Sequence, residues 1–101
     1  LVLTGKIINA QEAERIGMVN KVVPHEELMK ATWELAAEIA KNPPLAVGLA
    51  KAALYRGLLD PDIGAHMDYE NLTQNTLMGT KDFKEGIDSF MEKREPVFKG
   101  E

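Results

Sequence analysis

Thr80-Lys81-Asp82-Phe83-Lys84-Glu85-Gly86-Ile87-Asp88-Ser89-Phe90-Met91-Glu92-Lys93 is the stretch on which the fold turns. Phe83, Ile87, Phe90 and Met91 recur at i, i+4, i+7 and i+8, the spacing of one helical stripe. Thr80 stands where a hydroxyl can accept a hydrogen bond from an otherwise unpaired N–H of the first turn. The opposite-charge pairs Lys81/Glu85 and Lys84/Asp88 suit the wet faces of such a helix. Pro96 forbids continuation, so a helix over Lys81 to about Lys93 with a short tail behind it is predicted.

Reading backwards, Asp62 to Met78 forms a fourth helix with apolar residues on two sides. Ile63, Met67, Leu77 and Met78 group on one, and Ala65, Tyr69, Leu72 and Thr76 on the other. A helix of that kind needs two partners. Asn42-Pro43-Pro44 breaks the chain, because Pro43 drives Asn42 out of the helical region while Pro44 can open the next helix. That third helix runs to about Arg56 with Gly57 as its stop, and its Ala residues and Gly48 permit close approach by another backbone. A second helix is expected from Pro24 or His25 to about Lys41. Its stripes Leu28/Ala31/Leu35/Ile39 and Met29/Trp33/Ala36/Ala40 predict a broad buried face. Met18 to Val23, rich in valine, suits a short extended segment. Asn9 followed by Glu12 has capping-box spacing for a short helix from Ala10 to about Ile16, ended by Gly17. Leu1-Val2-Leu3-Thr4-Gly5 resembles the last turn of a helix, which implies a fragment or processed piece of a longer chain. The expected class is mainly α: about five helices joined by short extended connectors.

The 101 residues allow one domain, with 45% hydrophobic and 28% charged residues offering material for a core. A net charge of −4 presents phosphates with no basic face, so nucleic acid is not an expected partner. Without cysteine there is neither a disulfide framework nor a thiolate metal site. No apolar run approaches membrane-spanning length, and a cytoplasmic protein without membrane association is the default expectation.

Chemistry-bearing patterns are sparse. There is no nucleotide fingerprint of the G-x-G-x-x-G type. His25 falls at a helix start and His66 within the fourth helix, and neither belongs to a triad. Asp62, His66 and Glu70 share a helix face, but a metal site ordinarily needs denser ligand clustering, so no metal is assigned. The carboxylate pairs Glu34/Glu38, Asp60/Asp62 and Asp68/Glu70 read as solvated acidic surface. Lys93, Arg94 and Lys99 could together hold a single phosphate group. No catalytic residue is assigned.

The order of short motifs is more telling. Leu3-Thr4-Gly5, Ala10-Gln11-Glu12-Ala13, Gly17-Met18-Val19-Asn20-Lys21-Val22-Val23-Pro24, Asn42-Pro43-Pro44-Leu45-Ala46 with Lys51, Asp82-Phe83-Lys84-Glu85-Gly86, Phe90-Met91-Glu92-Lys93-Arg94 and Pro96-Val97-Phe98 together resemble the C-terminal region of the enoyl-CoA hydratase/isomerase, or crotonase, family. The resemblance implies a longer subunit acting on acyl-CoA thioesters, hydration of 2-enoyl-CoA foremost. It implies an active site in an N-terminal β-β-α spiral, with an oxyanion hole of two backbone N–H groups and two glutamates upstream of Leu-Thr-Gly. Residues 1–23 would then end the core-adjacent segment, and residues 24–101 form a helical assembly domain that packs subunits into trimers or dimers of trimers. No Glu of this chain inherits the catalytic role, the segment alone is expected to be inactive, and no cofactor is implied, coenzyme A being part of the substrate. The resemblance places CoA binding at Phe90 and Lys93, a ring for adenine and an ammonium for a phosphate. Phe90 is also a member of the apolar stripe and so a candidate core residue, and Lys93 a candidate solvated helix-end lysine. Gln74 departs from an aromatic sometimes found at its place, and Phe98 and Lys99 are less specific candidates for the same neighbourhood. A stand-alone helical oligomerisation module with no CoA link is the alternative from another class.

Overall fold

The computed structural model describes residues 1–59 and 61–101. Asp60, and with it half of the expected Asp60/Asp62 pair, lies outside the described residues. Five α-helices follow in order, α1 (Ala10–Arg15), α2 (Leu28–Ala40), α3 (Pro44–Gly57), α4 (Ile63–Met78) and α5 (Lys81–Glu92), with no strand among the described residues. The chain divides into two compact units, Leu1–Leu35 and Ala36–Glu101.

In the first unit, Gly5 takes φ +63° and its N–H donates to the Leu1 carbonyl at 2.8 Å, the geometry of a helical last turn. Asn9 caps α1 by accepting from the Glu12 N–H at 2.8 Å. The reciprocal half of the capping box is replaced. The Glu12 carboxylate turns forward onto Arg15 at 2.6 and 2.7 Å, and that guanidinium holds it below the usual carboxylate range. Gly17, at φ +75°, follows the helix. The connector beyond it joins no sheet, and its Val22 N–H is satisfied by the Glu14 carboxylate at 3.0 Å. The second expected helix begins differently from its reading: His25–Glu27 form a 3₁₀ turn on Pro24, which has no side-chain acceptor to cap a full α-turn, and α2 starts at Leu28.

The broad face of α2 is not buried here. Trp33 is 68% exposed, and Leu28, Met29, Leu35 and Ile39 are exposed as well. An amphipathic stripe specifies that a partner is wanted, not that it lies within the same 101 residues. Ala53 is the buried hydrophobic residue of the described chain, so the expected core does not close within it.

In the second unit, the Asn42 side chain donates to the Glu38 and Ile39 carbonyls and so ends α2, after which Pro44 opens α3. The helix α3 packs along α4. Arg56 lies 4.3 Å from the centre of the Tyr69 ring, and the His66 ring sits against Gly57. This corrects two readings. Gly57 is not a left-handed stop, since the helix passes through it into a right-handed cap at Leu58; it is the notch that admits His66, where an added Cβ would lie 2.9 Å from Cε1. Gly48, expected to take the close approach, faces open space.

Asp62 caps α4, its Oδ1 accepting from the Gly64 and Ala65 N–H groups. The inward side of α4 is the stripe His66/Tyr69/Thr73/Leu77, half-buried and lying between the two apolar sides read from the sequence. Ile63, Met67 and Met78 on one flank and Leu72 on the other remain exposed. Where α4 meets α5, one hydroxyl serves both helices: Thr80 donates to the Leu77 carbonyl at 2.7 Å and accepts from the Phe83 N–H at 3.1 Å.

Gly57→Ala is expected to lower the melting temperature of the whole protein, because the new methyl meets the His66 ring. In a His66→Ala background the same substitution is expected to stabilise by up to about 1 kcal/mol, the helix preference of Ala over Gly. A thermal double-mutant cycle checks the coupling.

Candidate functional site

Helix α5 ends in a Schellman turn. Lys93 adopts the left-handed conformation at φ 56°, and the Arg94 N–H donates to the Ser89 carbonyl at 3.0 Å. The turn sends the chain back along the helix, where the carboxylates of α5 hold it. Arg94 grips Glu85 through both terminal nitrogens, at 2.5 and 2.9 Å, and reaches Glu92 at 2.6 Å. Glu85 also accepts from the Val97 N–H at 2.8 Å. Asp82, 3% exposed, accepts from the Lys99 and Gly100 N–H groups, each at 2.7 Å, and its own N–H donates to the Glu101 carbonyl at 3.0 Å. Lys81 reaches the Glu101 side chain at 2.7 Å. The expected Lys81/Glu85 pair is therefore not formed, because each partner is taken by the tail, and Lys84 and Asp88 form no ion pair among the described residues.

The tail thus covers a polar side of α5, where Asp82 and Ser89 are buried. The stripe that reads as core from the sequence lies largely uncovered, with Phe90 82% exposed and Ile87 and Met91 exposed beside it. Phe90 is thus not a core residue of this chain. Its ring borders an apolar groove of about 440 Å³ together with Pro43, Phe83, Gly86, Ile87 and Phe98. Phe98 closes on Gly86, whose missing side chain leaves the ring 3.8 Å from where a Cβ would stand. Lys93 is exposed one helical turn beyond Phe90, at the end of α5 where backbone carbonyls favour a cation. The structure brings Phe90 and Phe98 to one groove and holds Lys99 by its backbone on Asp82, while Gln74 is exposed on α4.

The other candidates do not line that groove. His25 is exposed at the 3₁₀ turn. His66 Nε2 meets Glu70 at 3.3 Å, its Nδ1 is buried without a partner, and Asp62 is turned onto its own helix N-terminus. Among the described residues no cluster of His, Asp and Glu is arranged to hold a metal ion. No helix among them is long and apolar enough to cross a membrane. Local spacing missed the Asp82 and Glu85 latches. Two carboxylates at i, i+3 on the helix preceding a Pro-interrupted tail were the available signal.

The sequence profile of the enoyl-CoA hydratase/isomerase family matches residues 1–101. The chain belongs to that family. A short-chain-enoyl-CoA hydratase of Clostridium acetobutylicum is 42% identical over 94 residues, 93% of this chain and 36% of that protein. A crotonyl-CoA hydratase of Syntrophomonas wolfei is 43% identical over 98 residues, 97% of this chain and 37% of that protein. The crystal structure of an enoyl-CoA hydratase from Bacillus anthracis superposes with a TM-score of 0.93 at 42% identity, covering 100% of this chain and 39% of that one. The chain therefore spans well under half the length of these relatives. In this member of the enoyl-CoA hydratase/isomerase family, the mainly helical reading holds over the whole matched segment.

Glu85 carries a pH prediction for the family member. Hydrogen bonds from Arg94, then from the Val97 N–H, bring its carboxyl from 4.5 down to about 2. A carboxyl depressed in the folded state contributes stability above its unfolded value and loses that contribution as pH falls through the folded one. The Val97 amide is expected to stay protected at pH 5 and to lose protection between about pH 4.5 and 2. In Glu85→Gln that acid transition should be absent; amide exchange followed by NMR reads both.

Proposed function

We propose that the chain is the C-terminal assembly and CoA-covering part of an enzyme acting on acyl-CoA thioesters, and that the whole protein hydrates 2-enoyl-CoA. The family match over residues 1–101 carries the reading, supported by relatives named as short-chain-enoyl-CoA and crotonyl-CoA hydratases. The reacting groups come from outside these residues. An oxyanion hole of two backbone N–H groups stabilises the charge that grows on the thioester oxygen, and two glutamates activate the water that adds across the double bond. No cofactor enters, coenzyme A being carried by the substrate.

Within the chain, Phe90 offers a ring face to adenine and Lys93 an ammonium to a phosphate, neither of which touches the reacting carbons. Support comes from their surroundings: Phe90 is exposed at an apolar groove, and Lys93 stands exposed at the end of the same helix. The uncovered faces of α2 and α4, in residues 24–101, pack copies of the subunit into a trimer or a pair of trimers.

The whole protein given crotonoyl-CoA is expected to bleach the enoyl absorbance band. Phe90→Ala and Lys93→Ala should each raise KM about fivefold or more while sparing kcat, as loss of uniform binding does. Neither should affect crotonoyl-pantetheine, which lacks the nucleotide. An unchanged enoyl band overturns the hydratase reading, and a sedimentation mass of one subunit overturns the assembly.

A further inference from the structure

We infer that Asp82 is a positioning residue for the nucleotide end of an acyl-CoA substrate, holding the tail on α5 so that Phe98 stays in the groove shared with Phe90. The inference rests on the CoA reading above and adds to it a residue that touches no substrate.

An Asp in the first turn of a helix is favoured by the helix dipole even in water. Asp82 is nevertheless 3% exposed, and a carboxylate withdrawn that far requires donors to offset its lost hydration. Both donors come from the tail, the Lys99 and Gly100 N–H groups on separate carboxylate oxygens. Gly100 has φ +79°, a conformation that lets successive N–H groups converge on one anion and that L side chains rarely adopt. The Asp82 N–H on the Glu101 carbonyl completes the latch.

The register then fixes Phe98. Its neighbour on one side, Val97, is tied through its N–H to Glu85, and its neighbour on the other, Lys99, is tied to Asp82. With the Phe98–Lys99 peptide anchored on Asp82 and the Pro96–Val97 peptide anchored on Glu85, Phe98 keeps its place against Gly86 and in the groove with Phe83 and Phe90. Release of the Asp82 anchor frees one side of Phe98 and widens that groove. Preordered contacts lower the ordering cost of binding, and here the benefit falls on the ligand end that meets Phe90. The reacting thioester end gains nothing from it.

In the whole protein, Asp82→Ala is expected to raise KM for crotonoyl-CoA about tenfold with kcat within about twofold, and to leave KM for crotonoyl-pantetheine unchanged. Asp82→Asn, which keeps one acceptor, should show a smaller rise. Gly100→Pro removes one donor and cannot adopt the positive φ, so it opens the same latch from the tail and should reproduce the selective rise even if Asp82→Ala fails to fold. Amide exchange at Lys99 and Gly100 reports whether the latch is open. An open latch with unchanged KM for crotonoyl-CoA overturns the inference, as does an equal rise for both substrates, the mark of general destabilisation. If Phe90→Ala and Lys93→Ala raise KM while the latch variants do not, the positioning role alone falls. If Phe90→Ala and Lys93→Ala also leave KM unchanged, the CoA reading falls and this inference with it.

Discussion

The withdrawal of the Asp82 carboxylate from water is the constraint on which the second unit is organised. A buried anion must find donors, and Asp82 finds them in peptide N–H groups of the segment after α5. Once that segment lies along α5, the covered side of the helix is the one bearing Asp82 and Ser89. Phe90 and Met91 are left outward by exclusion. The polar contacts thus decide indirectly where the apolar surface of the chain is offered.

That outcome reverses the usual division of labour in a small helical domain, where apolar stripes meet each other and charges face solvent. Here α2, α4 and α5 keep large apolar side chains on the surface, and among the described residues Ala53 is the buried hydrophobic one. Among the described residues, caps, turns and carboxylate contacts stand beside the α3–α4 packing in holding the segment together. The matched relatives are more than twice as long as this segment.

Much of the secondary structure was legible from local chemistry. Asn9, Pro44, Asp62 and Thr80 mark helix starts because their side chains or ring geometry act within a single turn, and each does so in the structure. Burial was not legible in the same way. Period 3.6 identifies the apolar residues of α5 but contains no information on whether their partner follows within the chain. The Lys81/Glu85 spacing satisfied a local rule that a long-range contact then overrode, since Glu101 and Arg94 outcompete a neighbour one turn away. Gly57 reads as a stop from the sequence because glycine commonly ends helices, whereas its use here depends on His66 from the next helix. Phe90 and Lys93 were picked out by motif order, a source of information independent of packing.

The Thr80 hydroxyl, shared by the last turn of α4 and the first turn of α5, makes the junction between those helices a common pivot in place of a loose joint. A single oxygen thus closes one helix and opens the next, so no spacer residue separates the two caps.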